Sequence, residues 1–469
     1  MKYISRDKKQ VTRRDFLGSA VAAAGAITLM TPMSKGTASV CSDTKPNILM
    51  VMTDQQTASA LSCAGNPYVH TPALDALAAR GVRFERAYVT QPLCMPCRSS
   101  LQTGRYPHEI GVLCNGMDMR GEFPMLGSLM ADAGYENTYI GKWHVGTSFE
   151  KAGYTGEASD FRPDDRKTQV AVSFLRGIHE KPFFLTVSFM NPHNVCQLAR
   201  GQNLPDGPIG AAPENLDALP SLPDNFALPD HEPSVIREEQ GKHPEIYPTA
   251  TWGELQWRQY LWGYYRLVEK VDAEVGMVLE TLGKSKYADN TFVVFASDHG
   301  EGIAMHHWNQ KQVLYDPCTR VPLILAGPGI AGQQVCSELV STGLDIPMTL
   351  LELAGKEAPS SMRGRSLYAL ALKKVTTLDR PYVVAETMFA RGDEYKGPQG
   401  RMLRTDRYKY CVYERGDQPE QLFDMHADPG ETNNLAVNNE CRNTLSQHRQ
   451  MLQQWAVETS DTDFPYVHS

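Results

Sequence analysis

Residues 91–105 read QPLCMPCRSSLQTGR, with Cys94, Pro96 and Arg98 at alternate positions, the hydroxyls Ser99 and Ser100 behind them, and a Thr-Gly-Arg turn closing at Arg105. Taken alone, the stretch fits a buried cysteine ahead of a helix start. A free cysteine behaves as a small apolar side chain, and serine is a good helix cap. The chain before it says more. Residues 71–81, TPALDALAARG, carry apolar side chains at helical spacing and end on Gly81, a C-cap residue type. Residues 82–88 then read as a strand feeding into the cysteine loop. That order of helix and strand points to α/β architecture.

Other strands repeat a theme of apolar run and polar end. Residues 46–52, PNILMVM, lead into Thr53-Asp54-Gln55-Gln56. Residues 135–140 lead into Gly141-Lys142-Trp143-His144. Residues 182–190, PFFLTVSFM, are continuously apolar, as a strand buried on both faces must be, and end in Asn191-Pro192-His193. Residues 291–296, TFVVFA, end in Ser297-Asp298-His299-Gly300-Glu301. Each polar end taken singly fits a capped turn or a solvated side chain. Together they place acids, histidines and a lysine at the carboxyl ends of strands, where open α/β sheets bind ligands.

In this order the motifs resemble those of the type I sulfatases, the formylglycine-dependent branch of the alkaline phosphatase superfamily. The likeness rests on Cys94-x-Pro96-x-Arg98 running into Thr103-Gly104-Arg105, on Asp54-Gln55, Gly141-Lys142-x-His144, His193 and Ser297-Asp298-His299-Gly300, and on Lys311 ahead of Tyr315-Asp316. It implies a fold of one large mixed, mostly parallel sheet flanked by helices, with a smaller C-terminal antiparallel sheet and helix. It implies that Cys94 is oxidised to formylglycine (3-oxoalanine) by a maturation enzyme. The hydrated aldehyde has two hydroxyls: one attacks sulfur and displaces the alcohol, and deprotonating the other expels sulfate, so a hard step is split in two. Cys97 stands at a variable position of the motif. The resemblance assigns one divalent metal to Asp54, Gln55, Cys94, Asp298 and His299. Arg98 and Lys142 would hold the nucleophile and the charge, and His144 would assist sulfate release. His193 and Lys311 would favour departure of the alcohol, His193 as a protonated general acid. Calcium is the expected ion because hard oxygens dominate the donor set, although His299 adds a nitrogen. Gln55 is neutral where many relatives carry an acid.

The implied activity is hydrolysis of a sulfate monoester on a sulfated small molecule or glycan. A phosphonate or phosphate ester hydrolase of the same superfamily also matches the Asp-Gln and Asp-His pairs. An inactive binder of sulfated glycans has no use for an aldehyde precursor.

Composition fits this picture. The chain has 469 residues, 42% hydrophobic and 21% charged, with a net charge of -8 that argues against nucleic-acid partners. Its ten cysteines lack metal-type spacing and are too sparse for a disulfide framework. Thr12-Arg13-Arg14-Asp15-Phe16-Leu17 followed by an Ala- and Gly-rich apolar run reads as a twin-arginine signal over 1–40, too short to span a bilayer stably, which implies export to the periplasm. Cys41 follows Val40, a poor residue for lipoprotein processing. Residues 45–375 are expected to form the catalytic domain. Within it, 196–248 are rich in Pro, Gly, Asn and Asp and read as long pocket-walling loops, and 252–282 as a helix whose aromatics belong to the core. Residues 376–469 are expected to form the C-terminal subdomain, with strands at 381–386, 401–405 and 408–413 and a helix over 440–456.

Overall fold

The computed structural model describes residues 45–159, 163–391 and 395–465; the expected export signal, Cys41 and its lipidation question lie outside them. The apolar runs form the middle of an eight-stranded sheet. In chain order its strands are β1 (Asn47–Asp54), β2 (Gly81–Tyr88), β3 (Glu136–Gly141), β4 (Thr155–Ala158), β5 (Phe183–Pro192), β6 (Thr291–Ser297), β7 (Leu323–Ala326) and β8 (Gln334–Ser341). Their order across the sheet is β4-β3-β5-β1-β6-β7-β2-β8. Every neighbouring pair is parallel except the two that β7 makes, with β6 and with β2. Strand β1 is buried along its whole length, with Met50 opposite Thr186 on one side and Val294 on the other.

Side chains of β1 alternate between two cores, as strand geometry requires. Leu49 and Val51 join Leu74, Leu77, Val271, Val275 and Val278, from the Pro72–Ala79 and Glu254–Gly283 helices. Ile48, Met50 and Met52 join Leu126, Met130, Ile346 and Leu350 on the other face. Covering both faces is what lets a mainly parallel sheet be apolar throughout.

The second sheet is an antiparallel meander of β9 (Tyr382–Arg391), β10 (Tyr395–Thr405), β11 (Tyr408–Tyr413) and β12 (Glu420–Asp424), in the order β12-β11-β10-β9. The Arg442–Thr459 helix covers one face through Leu445, Leu452 and Trp455. The other face, with Val383, Ala385, Met402 and Phe423, meets Tyr88, Trp308, Val313 and Leu339 of the larger unit.

Several expectations shift. Gly81 is not a helix cap: the helix stops at Ala79, and Gly81 opens β2, where a Cβ would run into the Leu325 carbonyl of β7. The 196–248 segment is largely irregular but holds a helix, Ser234–Lys242. The strands β4 and β8 and the Asp164–Arg176 helix were not anticipated. The nine described cysteines form no disulfide with one another. No described helix is long and apolar enough to cross a membrane.

Candidate active site

Four adjacent strands deliver the polar ends to one place. Asp54 is the last residue of β1, Lys142 follows β3, His193 follows β5, and Asp298 and His299 follow β6. Cys94 follows β2 after a short loop, as the first residue of the Cys94–Thr103 helix. The positive end of that helix favours an anion at Cys94.

The Cys94 sulfur lies 3.1 Å from His299 Nε2, 3.3 Å from Lys311 Nζ, 3.6 Å from Lys142 Nζ and 3.8 Å from Asp54 Oδ1. Burial and Asp54 push the thiol up, but Lys142, Lys311 and His299 outweigh them and hold it well below its usual value. Sγ thus stands where an oxygen nucleophile on the same side chain would sit, in a nest of cations.

Arg98 takes a different part from the expected one. Its Nε donates to Asp298 Oδ2 at 2.7 Å and its Nη2 to Asp54 Oδ2 at 3.0 Å, while Nη1 reaches the Lys142 carbonyl and Ser188 Oγ. The guanidinium clamps two carboxylates rather than the nucleophile. Asp54 Oδ2 also meets Lys142 Nζ at 2.6 Å. Burial pushes Asp54 up, yet Lys142, His193, Arg98 and His299 hold it well below the usual carboxylate range. For Asp298, burial and the Asp54 charge win over Arg98 and push it up.

Asp54 Oδ1 faces the Cys94 sulfur, and Asp298 Oδ1 accepts from the backbone N–H groups of Gln55 and His299 at 3.1 and 2.8 Å. Asp54 Oδ1 and Asp298 Oδ1 lie 3.8 and 3.7 Å from His299 Nε2. Asp54, Cys94, Asp298 and His299 offer donor atoms all within 4.8 Å of one another. His299 Nδ1 faces the Gly300 carbonyl at 2.9 Å, which only accepts, so Nδ1 carries a proton and Nε2 is the nitrogen that a metal would take in place of a proton. Two carboxylate oxygens, one imidazole nitrogen and the residue-94 side chain fit a divalent cation. Gln55 is buried beside them in a left-handed conformation, φ 68°. Its Oε1 accepts from Lys311 Nζ at 2.8 Å.

The histidines are less engaged. Nδ1 of His144 and Nδ1 of His193 are buried with no hydrogen-bond partner. Burial, Lys311 and Lys142 push the His193 imidazole down to about 4, against Asp54 and a hydrogen bond with Cys94. In the free site His193 is therefore neutral, not the protonated acid expected. Cys97 is buried and its thiol is pushed up, mainly by burial, as suits a bystander.

Sequence reasoning missed a supporting layer. Tyr264 OH reaches the Gln55 carbonyl, Tyr260 OH reaches Glu301, and Glu301 takes the Gln55 amide. Both tyrosines are core residues, as expected, but their hydroxyls serve the site. Glu301 stood in the quoted Ser-Asp-His-Gly-Glu run without a role.

An α/β sheet that ends in cations and a two-carboxylate, one-imidazole cage around a single nucleophile position is the framework of a hydrolase of anionic esters. The comparison with known proteins narrows the class. The family model described as Sulfatase matches residues 46–356, and a second, N-sulphoglucosamine sulphohydrolase, C-terminal, matches 304–458. The chain belongs to the sulfatase family, within the alkaline phosphatase superfamily, and is a sulfatase. It is 33% identical, over 89% of its length and 90% of the relative's, to a Delta 4,5-hexuronate-2-O-sulfatase of Bacteroides thetaiotaomicron. The solved structure of a 2-O GAG sulfatase matches with a TM-score of 0.81 at 33% identity, covering 89% of this chain and 93% of that one. A phosphonate monoester hydrolase of Agrobacterium radiobacter, 21% identical with a TM-score of 0.71 over 88% and 96% of the two chains, shares the fold.

Proposed function

We propose that this sulfatase removes a sulfate ester from a sulfated carbohydrate, with Cys94 converted to formylglycine by a maturation enzyme. The observation that carries the reading is the Cys94 sulfur set within 3.6 Å of two lysine ammoniums and 3.1 Å from His299. The named activity of the hexuronate-2-O-sulfatase relative supports a sulfated uronate as the first substrate to test.

Asp54, Asp298 and His299 would hold the ion, with residue 94 completing the set, while Gln55, expected among the ligands, has its oxygen turned to Lys311 instead; we assign calcium on the strength of the oxygen donors. A divalent cation there supplies polarisation of the sulfate oxygens, and an aldehyde hydrate at residue 94 supplies the nucleophilic hydroxyl. Arg98 keeps both carboxylates oriented. Lys142 and Lys311 set fixed positive charge where the sulfate's negative charge is held, the arrangement from which most acceleration arises. His193 is neutral in the free site. A bound sulfate raises its basicity by adding negative charge nearby, so it then holds a proton for the departing alcohol. His144, with its free nitrogen, serves as the base that assists sulfate release. Residues 45–375 form the catalytic part and 376–469 the C-terminal subdomain. The 1–40 signal directs export by the twin-arginine route to the periplasm.

Two experiments test this. Protein co-expressed with a formylglycine-generating enzyme should lose the Cys94 thiol sulfur in peptide mass spectra. It should then release sulfate from a 2-O-sulfated Δ4,5-unsaturated hexuronate disaccharide or from another member of a sulfated disaccharide panel. Full activity in Cys94→Ala overturns the mechanism. For export, Arg13→Lys with Arg14→Lys should strand the folded precursor in the cytoplasm, and an unchanged periplasmic yield rejects the route.

A further inference from the structure

We infer that Glu301 is a positioning residue that sets the orientation of the Gln55 amide and, through it, the place of the Lys311 ammonium. This rests on the reading of Lys311 as a cation of a sulfatase site. The chain of contacts is continuous. Tyr260 OH donates to Glu301 Oε1 at 2.5 Å, Gln310 N–H donates to the same oxygen at 2.5 Å, and Gln55 Nε2 donates to Glu301 Oε2 at 2.5 Å. Gln55 Oε1 then accepts from Lys311 Nζ at 2.8 Å, and Lys311 Nζ lies 3.3 Å from the Cys94 sulfur. Cys196 Sγ lies 3.5 Å from the same Gln55 oxygen and 3.2 Å from Gln310 Oε1.

Donor and acceptor parity leaves one arrangement. A lysine ammonium only donates, so the Gln55 amide must turn its oxygen to Lys311 and its NH2 away. Whatever occupies position 301 must accept from that NH2. It must also accept from a backbone N–H and from the tyrosine hydroxyl. Only a carboxylate accepts at both of its ends. Gln55, Tyr260 and Glu301 are all buried, so no water repairs a mismatch. The same logic explains the neutral residue at 55: an acid there would set two carboxylates against each other in a dry site.

The test exchanges the two groups. Glu301→Gln turns an NH2 toward the Gln55 NH2. The Gln55 amide must flip, and its own NH2 then faces Lys311. Gln55→Glu opposes two acids. The double variant Gln55→Glu/Glu301→Gln regenerates every bond with the same total charge. On the 2-O-sulfated hexuronate disaccharide, each single variant should lose about 10- to 100-fold in kcat with a smaller change in KM, the scale of a lost hydrogen bond to a charged group. The double variant should regain at least about tenfold over the worse single, since only coupled residues depart from additivity. In a Lys311→Ala background, Glu301→Gln should cost little further kcat; a merely structural Glu301 would cost the same in both backgrounds. Melting temperatures in chelator form a second cycle that needs neither metal nor substrate, and there too the double variant should exceed the worse single. Should Glu301→Gln melt below the assay temperature, the double variant still decides. If it is folded and active, the inference stands. If it is folded but as impaired as the worse single, the inference falls while the sulfatase reading survives. A wild type that releases no sulfate from the panel defeats the functional reading instead, and the chelator cycle still reports whether Glu301 and Gln55 act as a pair.

Discussion

Arg98 shows how one side chain fixes the character of the centre. Its planar fork spans Asp54 and Asp298 at 3.0 and 2.7 Å, and its Nη1 reaches the Lys142 carbonyl just past β3 and the Ser188 hydroxyl within β5. A lysine carries the same charge as a compact point and cannot make both carboxylate contacts. Arg98→Lys should free one carboxylate to rotate, so that its Oδ1 is no longer held. Calcium affinity and kcat/KM should then fall about 10- to 100-fold, the usual cost of losing a group that orients a metal ligand. The wild type should show a calcium-dependent rise in melting temperature after chelation, and its midpoint should move to higher calcium in the variant. A midpoint that stays put would show that the clamp does not orient the ligands. The Cys-x-Pro-x-Arg spacing marked Arg98 in the sequence, but its partners were not legible there. They come from β1 and from the end of β6, about 200 residues further on.

At the scale of elements, the turn after β6 is as constrained as the ligands it carries. Gly300 N–H donates to the Cys318 carbonyl at 2.9 Å and Glu301 N–H to the Pro317 carbonyl at 3.0 Å. A Cβ built on Gly300 would overlap the Pro317 carbonyl oxygen. Gly300→Ala must therefore push the Asp316–Thr319 helix and the β6 turn apart, displacing His299 on one side and Glu301 on the other. We expect about 1–3 kcal/mol of lost stability, the range for overpacking, and at least about a tenfold loss of kcat/KM; urea melts and steady-state kinetics check the two. A variant with native stability and activity would mean that the turn has slack. The strands that build the centre were legible because their burial is extreme. Strands β1 and β6 are buried throughout and β5 nearly so, and such strands announce themselves as unbroken apolar runs. Strands β4 and β8 were not legible, since β4 is exposed and β8 alternates at the sheet's edge. Tyr260 was hidden for another reason: its ring obeys the helix's apolar period, and nothing local reports that its hydroxyl meets Glu301.

Over the whole molecule, the second sheet acts as a brace for the first one's loops. Its β9 ties down the cysteine loop through Glu386 N–H to the Thr90 carbonyl at 2.8 Å. It ties down the Lys311 loop through Gln312, whose amide exchanges two bonds with Ala390 and whose carbonyl accepts from Thr387. His108, three residues past the Thr-Gly-Arg turn, completes the brace. Its Nδ1 lies 2.6 Å from Glu386 Oε1 on β9, and its Nε2 lies 3.1 Å from the Thr459 carbonyl at the end of the C-terminal helix. Both nitrogens face acceptors, so the imidazolium is the form that fits. Burial pushes His108 down, but the Glu386 carboxylate outweighs it and lifts the imidazole from 6.5 to about 9. A folded-state value above the unfolded one means that the fold holds the proton more tightly than the unfolded chain, so the protonated imidazole stabilises the fold. The contribution is complete below pH 6.5 and fades as pH rises through 9, and the shift corresponds to on the order of 3 kcal/mol. His108→Gln removes the titrating group. The melting-temperature gap between wild type and variant should be widest at or below pH 6.5 and should shrink steadily as pH rises toward 10. A gap that is constant with pH would mean that His108 braces the two sheets as a neutral ring. If it shrinks, the brace is ionic, and alkaline pH should loosen the second sheet's hold on the cysteine loop before it reaches the buried core of the first.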